Sequence, residues 1–339
     1  MKFFGLIIIL TASISYFSPA FAAETMDSAS TPVVGESMTP TSTAPAKAPV
    51  LLISLSQYHY SLDGGRTANT QIYKFGEAKV DMSLIVATYL ASADWTVVTL
   101  IPHIKNEVET IYEPVAGGLN FKGRDVTEGL GDVRVMALTP IVTNPKYFTM
   151  FDIGFSAPTG SIDEKFLTNP NQRASYNMQL GSGTPDFYLG TTTTNTTDDF
   201  SSSARFQVAV RGGRNSNGWA LGEEFQTKLA SNYTVTKNIL VGAVANYKAR
   251  TAIRGKDTQY ELMNGYVGTN GIAGDGHQYY HAEQISWDGN LMAKIQTTPG
   301  SQFSAAFEIG APVFQGFKNK DDVELNTNYF AAGTFTGSF

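Results

Sequence analysis

From Leu51 onward, apolar and polar side chains alternate over segments of about 10 to 15 residues, and a period of two puts the two sets on opposite faces of a β-strand. In 219 to 235, Trp219, Leu221, Phe225, Leu229, Tyr233 and Val235 share one face, while Glu224, Gln226, Lys228 and Asn232 share the other; Glu223 and Ser231 break the rule. In 239 to 250, Ile239, Val241, Ala243, Ala245 and Tyr247 oppose Asn246, Lys248 and Arg250. Ile285, Trp287, Leu291, Ala293 and Ile295 oppose Ser286, Asp288, Asn290, Lys294 and Gln296, and Phe303, Ala305, Phe307, Ile309 and Val313 oppose Gln302, Ser304 and Glu308.

Twelve such segments can be counted, at about 51 to 62, 77 to 90, 95 to 108, 131 to 143, 146 to 157, 184 to 195, 203 to 211, 219 to 235, 239 to 253, 284 to 298, 301 to 314 and 328 to 339. The first is irregular, because Tyr58 and Tyr60 sit on the face opposite Leu51, Ile53 and Leu55, and a count of ten is the alternative. Connection lengths alternate. The segments 63 to 76, 109 to 130, 158 to 183, 212 to 218, 254 to 283 and 315 to 327 are mostly long, whereas Ala91 to Asp94, Asn144-Pro145, Thr196 to Ser202, Thr236 to Asn238 and Pro299-Gly300 are short and turn-like. The fold class expected is therefore all-β: a transmembrane antiparallel β-barrel of about twelve strands, with short periplasmic turns, long extracellular loops and an outer face against outer-membrane lipid.

The first 22 residues have the form of an export signal: Lys2, an apolar core from Phe3 to Leu10, and Ala20-Phe21-Ala22 as a cleavage site, with cleavage expected after Ala22. Residues 23 to 49 are rich in Ser, Thr, Pro and Ala and predict a disordered periplasmic tail, leaving 50 to 339 as the barrel. The alternating last segment ends in Phe339, a carboxy-terminal residue of the kind that barrel assembly machinery commonly recognises. Tyr89, Trp95, Tyr147, Trp219 and Tyr233 lie near strand ends, where an interfacial aromatic girdle belongs.

Composition narrows the function classes. With no cysteine, neither a disulfide framework, a thiolate metal site nor a lipidated cysteine is available. A net charge of -6 argues against a nucleic-acid partner. After the signal segment, no stretch approaches the ~18 uninterrupted apolar residues of a membrane-spanning helix.

Three glycine-centred phrases occur in order: Gly129-Leu130-Gly131-Asp132-Val133, then Ala157-Pro158-Thr159-Gly160, then Leu180-Gly181-Ser182-Gly183. Over roughly residues 77 to 339 this order resembles the outer-membrane family labelled the MetA-pathway of phenol degradation. The resemblance implies a barrel transporter for aromatic or other hydrophobic compounds. The insert from 254 to 283 departs from that pattern.

If the apolar faces meet lipid, the opposite faces line a lumen: Asp81, Asp132, Arg134, Arg205, Gln207, Glu224, Gln226, Lys228, Asn246, Lys248, Arg250, Asp288, Asn290, Lys294, Gln296 and Glu308. Such side chains steer small solutes through a pore, or pair with one another and plug it. The expected function is a passive outer-membrane channel, with loops 158 to 183 and 254 to 283 gating access. The alternatives are a structural or adhesive barrel and a hydrolase at the rim. The chain holds four histidines, His59, His103, His277 and His281, and neither His59 nor His103 adjoins a nucleophile motif such as G-x-S-x-G. His277 and His281 share a Gly-rich loop with Asp275 and Glu283, a metal-capable set that reads better as a solvated loop. No catalytic residue, metal or cofactor is expected.

Overall fold

The computed structural model describes residues 50–64, 73–92, 94–112, 121–144, 147–165, 167, 173–174, 176–197, 199–255, 257, 284–297, 303–319 and 325–338. The expected signal segment, the tail and Phe339 lie outside the described residues. Among the described residues fifteen strands follow one another: β1 (Val50–Gly64), β2 (Tyr73–Leu90), β3 (Thr96–Tyr112), β4 (Phe121–Leu130), β5 (Val133–Thr143), β6 (Tyr147–Ala157), β7 (Asp186–Thr196), β8 (Phe200–Arg211), β9 (Trp219–Ala220), β10 (Glu224–Thr236), β11 (Ile239–Arg250), β12 (Arg254–Gly255), β13 (Gln284–Gln296), β14 (Phe303–Asn319) and β15 (Leu325–Ser338). β4 and β5 pair in succession with the same β3 and occupy one wall position, while β9 and β12 pair only with each other. The remainder is a closed antiparallel barrel of twelve strands. It closes where β1 joins both β2 and β15, with Leu55 opposite Ile85 and Phe335.

The outward positions explain why closure is required. Phe187, Leu189, Phe206, Val208, Leu229, Leu291 and Phe307 belong to a belt of large apolar side chains, each at least 40 % exposed, that runs round the barrel. A belt of that extent is stable against hydrocarbon, where no water is available to backbone amides and each must bond to a neighbouring strand. Tyr89, Trp95, Tyr147 and Tyr233 are exposed beside the short turns, as a girdle requires. Those turns close locally: Ala91 N donates to Trp95 O (3.0 Å), Asn144 N to Tyr147 O (3.0 Å) and Thr197 N to Phe200 O (2.7 Å).

The irregular face of β1 has a simple cause. Across β1, β2 and β3 the outward row Leu55, Ile85 and Ile101 is apolar, the next row is Gln57, Ser83 and His103, and the next, continuing into β4, is His59, Asp81, Lys105 and Glu128. Between these rows the outer face changes from apolar to polar, as it must where a barrel wall leaves hydrocarbon. Its outward positions turn polar, and its inward positions, Tyr58, Tyr60 and Leu62, turn apolar and buried, without any change of face.

Two expected boundaries are corrected. The segment 109 to 130, expected as a loop, contains β4, whose outward Arg124 and Glu128 and inward Asp125 and Thr127 are all polar and so carry no apolar alternation. The segment 219 to 235 is two elements. Trp219–Ala220 leaves the wall to pair with Arg254–Gly255, and the barrel strand begins at Glu224. A Cβ on Gly222 would overlap the Thr251 carbonyl, so the chain can pass there only as glycine.

The break between β4 and β5 occurs opposite Pro102. β3 pairs with β5 as far as Leu100 opposite Arg134 and with β4 from His103 opposite Leu130. Pro102 accepts a bond from Gly131 N (3.0 Å) but has no N–H to return one, and the partner strand leaves the ladder there.

Candidate functional site

The barrel interior has two unlike walls. From β6 through β14 it carries most of the charges, with Met150, Ala230, Val244 and Met292 of the buried apolar cluster between them. Asp152 is fully buried and pairs with Arg205 (3.0 Å), which also donates to Thr192 Oγ1 (2.7 Å). Arg211 bonds Asp186 (2.7 Å), donates to the Tyr188 hydroxyl (3.3 Å) and lies 3.7 Å from Glu224, which in turn pairs with Lys248 (3.1 Å). Asn246 donates to Asp288 (3.0 Å), as does Asn290, and Lys294 stands opposite Glu308 across β13 and β14. These side chains come from seven different strands. Period two turns each inward, and cross-strand register sets each beside its partner.

Gly190 is the steric condition for one of these pairs. A Cβ at Gly190 would meet both Asp152 carboxylate oxygens, at 2.7 and 2.9 Å, so the bare backbone lets the carboxylate lie across β7 and reach Arg205 on β8.

Along β1 to β5 the inner wall is mostly apolar, interrupted by buried Ser56, Asn106, Asp125 and Thr127. Tyr58, Tyr60, Val80, Met82, Leu84, Leu100, Ile104, Met136 and Leu138 form one buried cluster, joined by Ala174, Met178 and Leu180 from the β6–β7 connection. That connection folds inward over the wall, and Thr127 of β4 holds it by donating to Met178 O (2.8 Å). Arg134 stands at the seam between the walls. It is buried opposite Leu100, with its guanidinium carbon 3.7 Å from the ring centre of Tyr188.

The three glycine-centred phrases meet at one place. Asp132, in the break between β4 and β5, accepts Gly160 N on Oδ1 (2.8 Å) and both Ser182 N (2.7 Å) and Ser182 Oγ (2.8 Å) on Oδ2. Thr159 Oγ1 donates to Gly131 O (2.8 Å) and accepts from Val133 N (2.9 Å). Cβ atoms on Gly160 or Gly181 would lie 2.5 Å from Leu180 O or Asp132 Oδ1, so the two backbone segments approach closely enough to share one carboxylate only because both are glycine. Burial pushes the Asp132 carboxyl up from its ordinary value, against the three hydrogen bonds that favour its charged form.

Above the ionic wall, loops build a small lid. Ile162, Tyr176, Trp219, Leu221 and Ile253 form a second buried cluster, with Tyr176 edge-on to Trp219 at 4.7 Å between ring centres. Arg173 pairs with buried Asp257 and with Asp163 (2.7 Å), and Asp257 N donates to the Tyr176 hydroxyl (3.0 Å). Glu223, at the edge of this lid, accepts from Thr251 Oγ1 (3.0 Å) and pairs with Arg254 (3.2 Å).

Of the residues expected to line the lumen, Arg134, Arg205, Gln207, Glu224, Gln226, Lys228, Asn246, Lys248, Arg250, Asp288, Asn290, Lys294 and Glu308 occupy inward positions. Gln296 lies in β13 opposite Ala306, and its side chain is outside the described set. Asp81 is corrected: it is on the outer face, bonded to His59 Nδ1 at 2.6 Å, in the polar rows above the hydrocarbon. Asp132 is corrected too, being a loop anchor in the wall break. Trp219 is not a girdle residue, since it is wholly buried in the lid. Sequence reasoning missed Asp152, Asp186 and Arg211, although a lone acid on the inward parity of an otherwise apolar spanning strand is a signal in itself.

The described residues hold no group of three His, Asp or Glu side chains suited to a metal, and His277, His281, Asp275 and Glu283 lie outside them. His59 and Asp81 form a dyad, but the hydroxyl of nearby Ser83 donates to Gln57.

No protein-family profile matches the chain, and no curated protein matches it in sequence. Among solved structures it is similar to the COG4313 outer membrane channel from Pseudomonas putida F1, with a TM-score of 0.56 at 11% identity over 88% of this chain and 100% of that one. The KdgM porin (TM-score 0.39, 11% identity, 84% of this chain and 99% of that one) and the NanC porin (TM-score 0.41, 8% identity, 84% and 98%) are more distant matches. The first of these likenesses places the chain among outer-membrane β-barrels by fold.

Proposed function

We propose that this chain is an outer-membrane channel for the passive passage of small solutes with apolar, including aromatic, parts, exported by means of residues 1 to 22 and inserted with Phe339 as its assembly signal. The observation that carries the reading is the division of the interior. A channel for hydrophilic solutes needs no apolar cluster of the extent found on β1, β2, β3 and β5, and the charged side chains facing it are of the kind that steer solutes. The resemblance to the MetA-pathway family and the likeness to the Pseudomonas putida channel point the same way. Enzymatic action is not part of the proposal, because no nucleophile is hydrogen-bonded to the His59–Asp81 dyad among the described contacts.

A structural or adhesive barrel is the second reading. It is favoured by the close interlocking of Arg211, Asp186, Glu224 and Lys248, whose side chains are no more than 12 % exposed. Planar-bilayer recording of refolded protein, together with uptake of aromatic solutes by a deletion strain, separates the two. Discrete conductance and slower uptake on deletion support the channel. Absence of both overturns it in favour of the structural barrel.

A further inference from the structure

Resting on the channel reading, and narrowing its solute class, we infer that Arg205 and Lys228 form the channel's selectivity element and make it prefer anionic solutes over cationic ones, although both bases are paired. The two stand directly opposite one another on the inward faces of β8 and β10. Like charges so placed repel, and the acids that offset the repulsion lie at the far ends of the row instead of between them. Asp152 of β6 takes Arg205 at 3.0 Å, and Asp288 of β13, across Asn246 from Lys228, attracts it from the other side.

What sets this row apart is which member of each pair reaches the lumen. Phe206 and Leu229, the chain neighbours of the two bases, are exposed on the outer face, so the row lies at hydrocarbon depth, and a partly exposed inward side chain there can face only the lumen. The Arg205 side chain is 17 % exposed against 1 % for Asp152, and Lys228 is partly exposed whereas Asp288 is buried. Each pair is neutral as a whole yet turned base-first to the lumen. Glu224 and Lys248, at 12 % and 10 %, are exposed alike and cancel one another, and the other charges described on inward strand faces, Asp125 included, are buried. Ser203 and Gln226, beside the two bases, are also partly exposed, so the open part of the lumen borders β8 and β10. A solute there is nearer to two cations than to their anions, and in a narrow, low-dielectric passage that difference in distance is weakly screened.

Reversal potentials of the full chain in planar bilayers, under a potassium chloride gradient, test this. Chloride is expected to pass about threefold or more faster than potassium, Lys228→Gln to remove most of that preference and Lys228→Arg to keep it. The decisive variant combines Lys228→Gln with Asp288→Asn, which leaves the summed charge of the lumen unaltered and strands no partner, and so carries the test even where Lys228→Gln alone does not fold. It should lose the preference too. A ratio kept at the parent value in that double variant, with heat-modifiable gel mobility showing a folded barrel, would mean that net charge and not the exposed base selects, and it overturns the inference. So does equal passage of both ions, or a preference for potassium, in the parent protein.

Because the chain has no cysteine, Ser203→Cys supplies a readout that needs no conductance. In detergent, a methanethiosulfonate reagent carrying a sulfonate should modify it about threefold or more faster than one carrying a trimethylammonium group, relative to their rates with a simple thiol in solution, and Lys228→Gln should abolish the difference. Anion-favoured labelling without conductance defeats the channel but not the selectivity element. Conductance with no preference between ions or between reagents defeats the element but not the channel.

Discussion

Asp132 and Ser182, fifty positions apart in the chain, are joined by two hydrogen bonds to one carboxylate oxygen, from the serine backbone N–H at 2.7 Å and from its hydroxyl at 2.8 Å. The other oxygen takes Gly160 N. A single side chain thereby ties both ends of the infolded β6–β7 connection to the break in the barrel wall.

Replacing Asp132 by alanine leaves two backbone donors without their acceptor, at about 1–3 kcal/mol for each that stays buried. The expected outcome is a folded barrel whose 158–185 connection is cut by added protease while the strands survive. Mass mapping of limited digests checks it. Cleavage no faster than in the parent protein would show that the apolar contacts of Met178 and Leu180 hold the connection unaided.

Removing one partner of the Asp152–Arg205 pair strands a buried charge. Arg205→Ala should cost about 3–5 kcal/mol in urea unfolding from lipid vesicles, and the double variant with Asp152→Asn should recover much of that loss. Gly190→Ala should reproduce part of the defect, because its Cβ would displace the Asp152 carboxylate, and it should shift the reversal potential in a salt gradient if the ladder sets ion preference. Additive effects of the two single changes would mean that the pair is not coupled.

Leu229 lies mid-strand on the outer face and is 51 % exposed. An arginine there should destabilise the vesicle-inserted barrel by about 2–4 kcal/mol if that face sits at the bilayer midplane. Lys105→Leu, in the polar outward rows of β3, should be close to neutral by comparison. Equal costs for the two would contradict the position assigned to the hydrocarbon boundary.

Trp219 is wholly buried against Tyr176, whereas Trp95 faces outward beside a turn. In single-tryptophan variants, brominated lipid should quench Trp95 strongly and Trp219 scarcely. Trp219→Ala should loosen the lid and raise the rate at which water-soluble quenchers reach a probe placed at Ile253.

How much of this was legible depends on the range of the interaction concerned. The strands of the hydrocarbon zone were readable because alternation is a local property, and Ile285 to Ile295 or Phe303 to Ile309 declare their two faces within a few residues. Above the lipid the same geometry is silent. β4 is a strand with polar residues on both sides, and Tyr58 and Tyr60 look out of phase although their backbone never changes face.

The chain's own order of residues thus determined that the molecule is a barrel, roughly where its walls begin and end, and which of most of its charges point inward. Only the tertiary structure decided which charges meet, that Asp81 belongs outside and Asp132 to an anchor, that an apolar cluster gathers inside along β1 to β5, and that three separate glycine phrases converge on one carboxylate. Period two is written into consecutive residues, but cross-strand register, the switch of partners at Pro102 and the infolding of a loop depend on residues far apart in the chain, from 27 positions for His103 and Leu130 to 50 for Asp132 and Ser182.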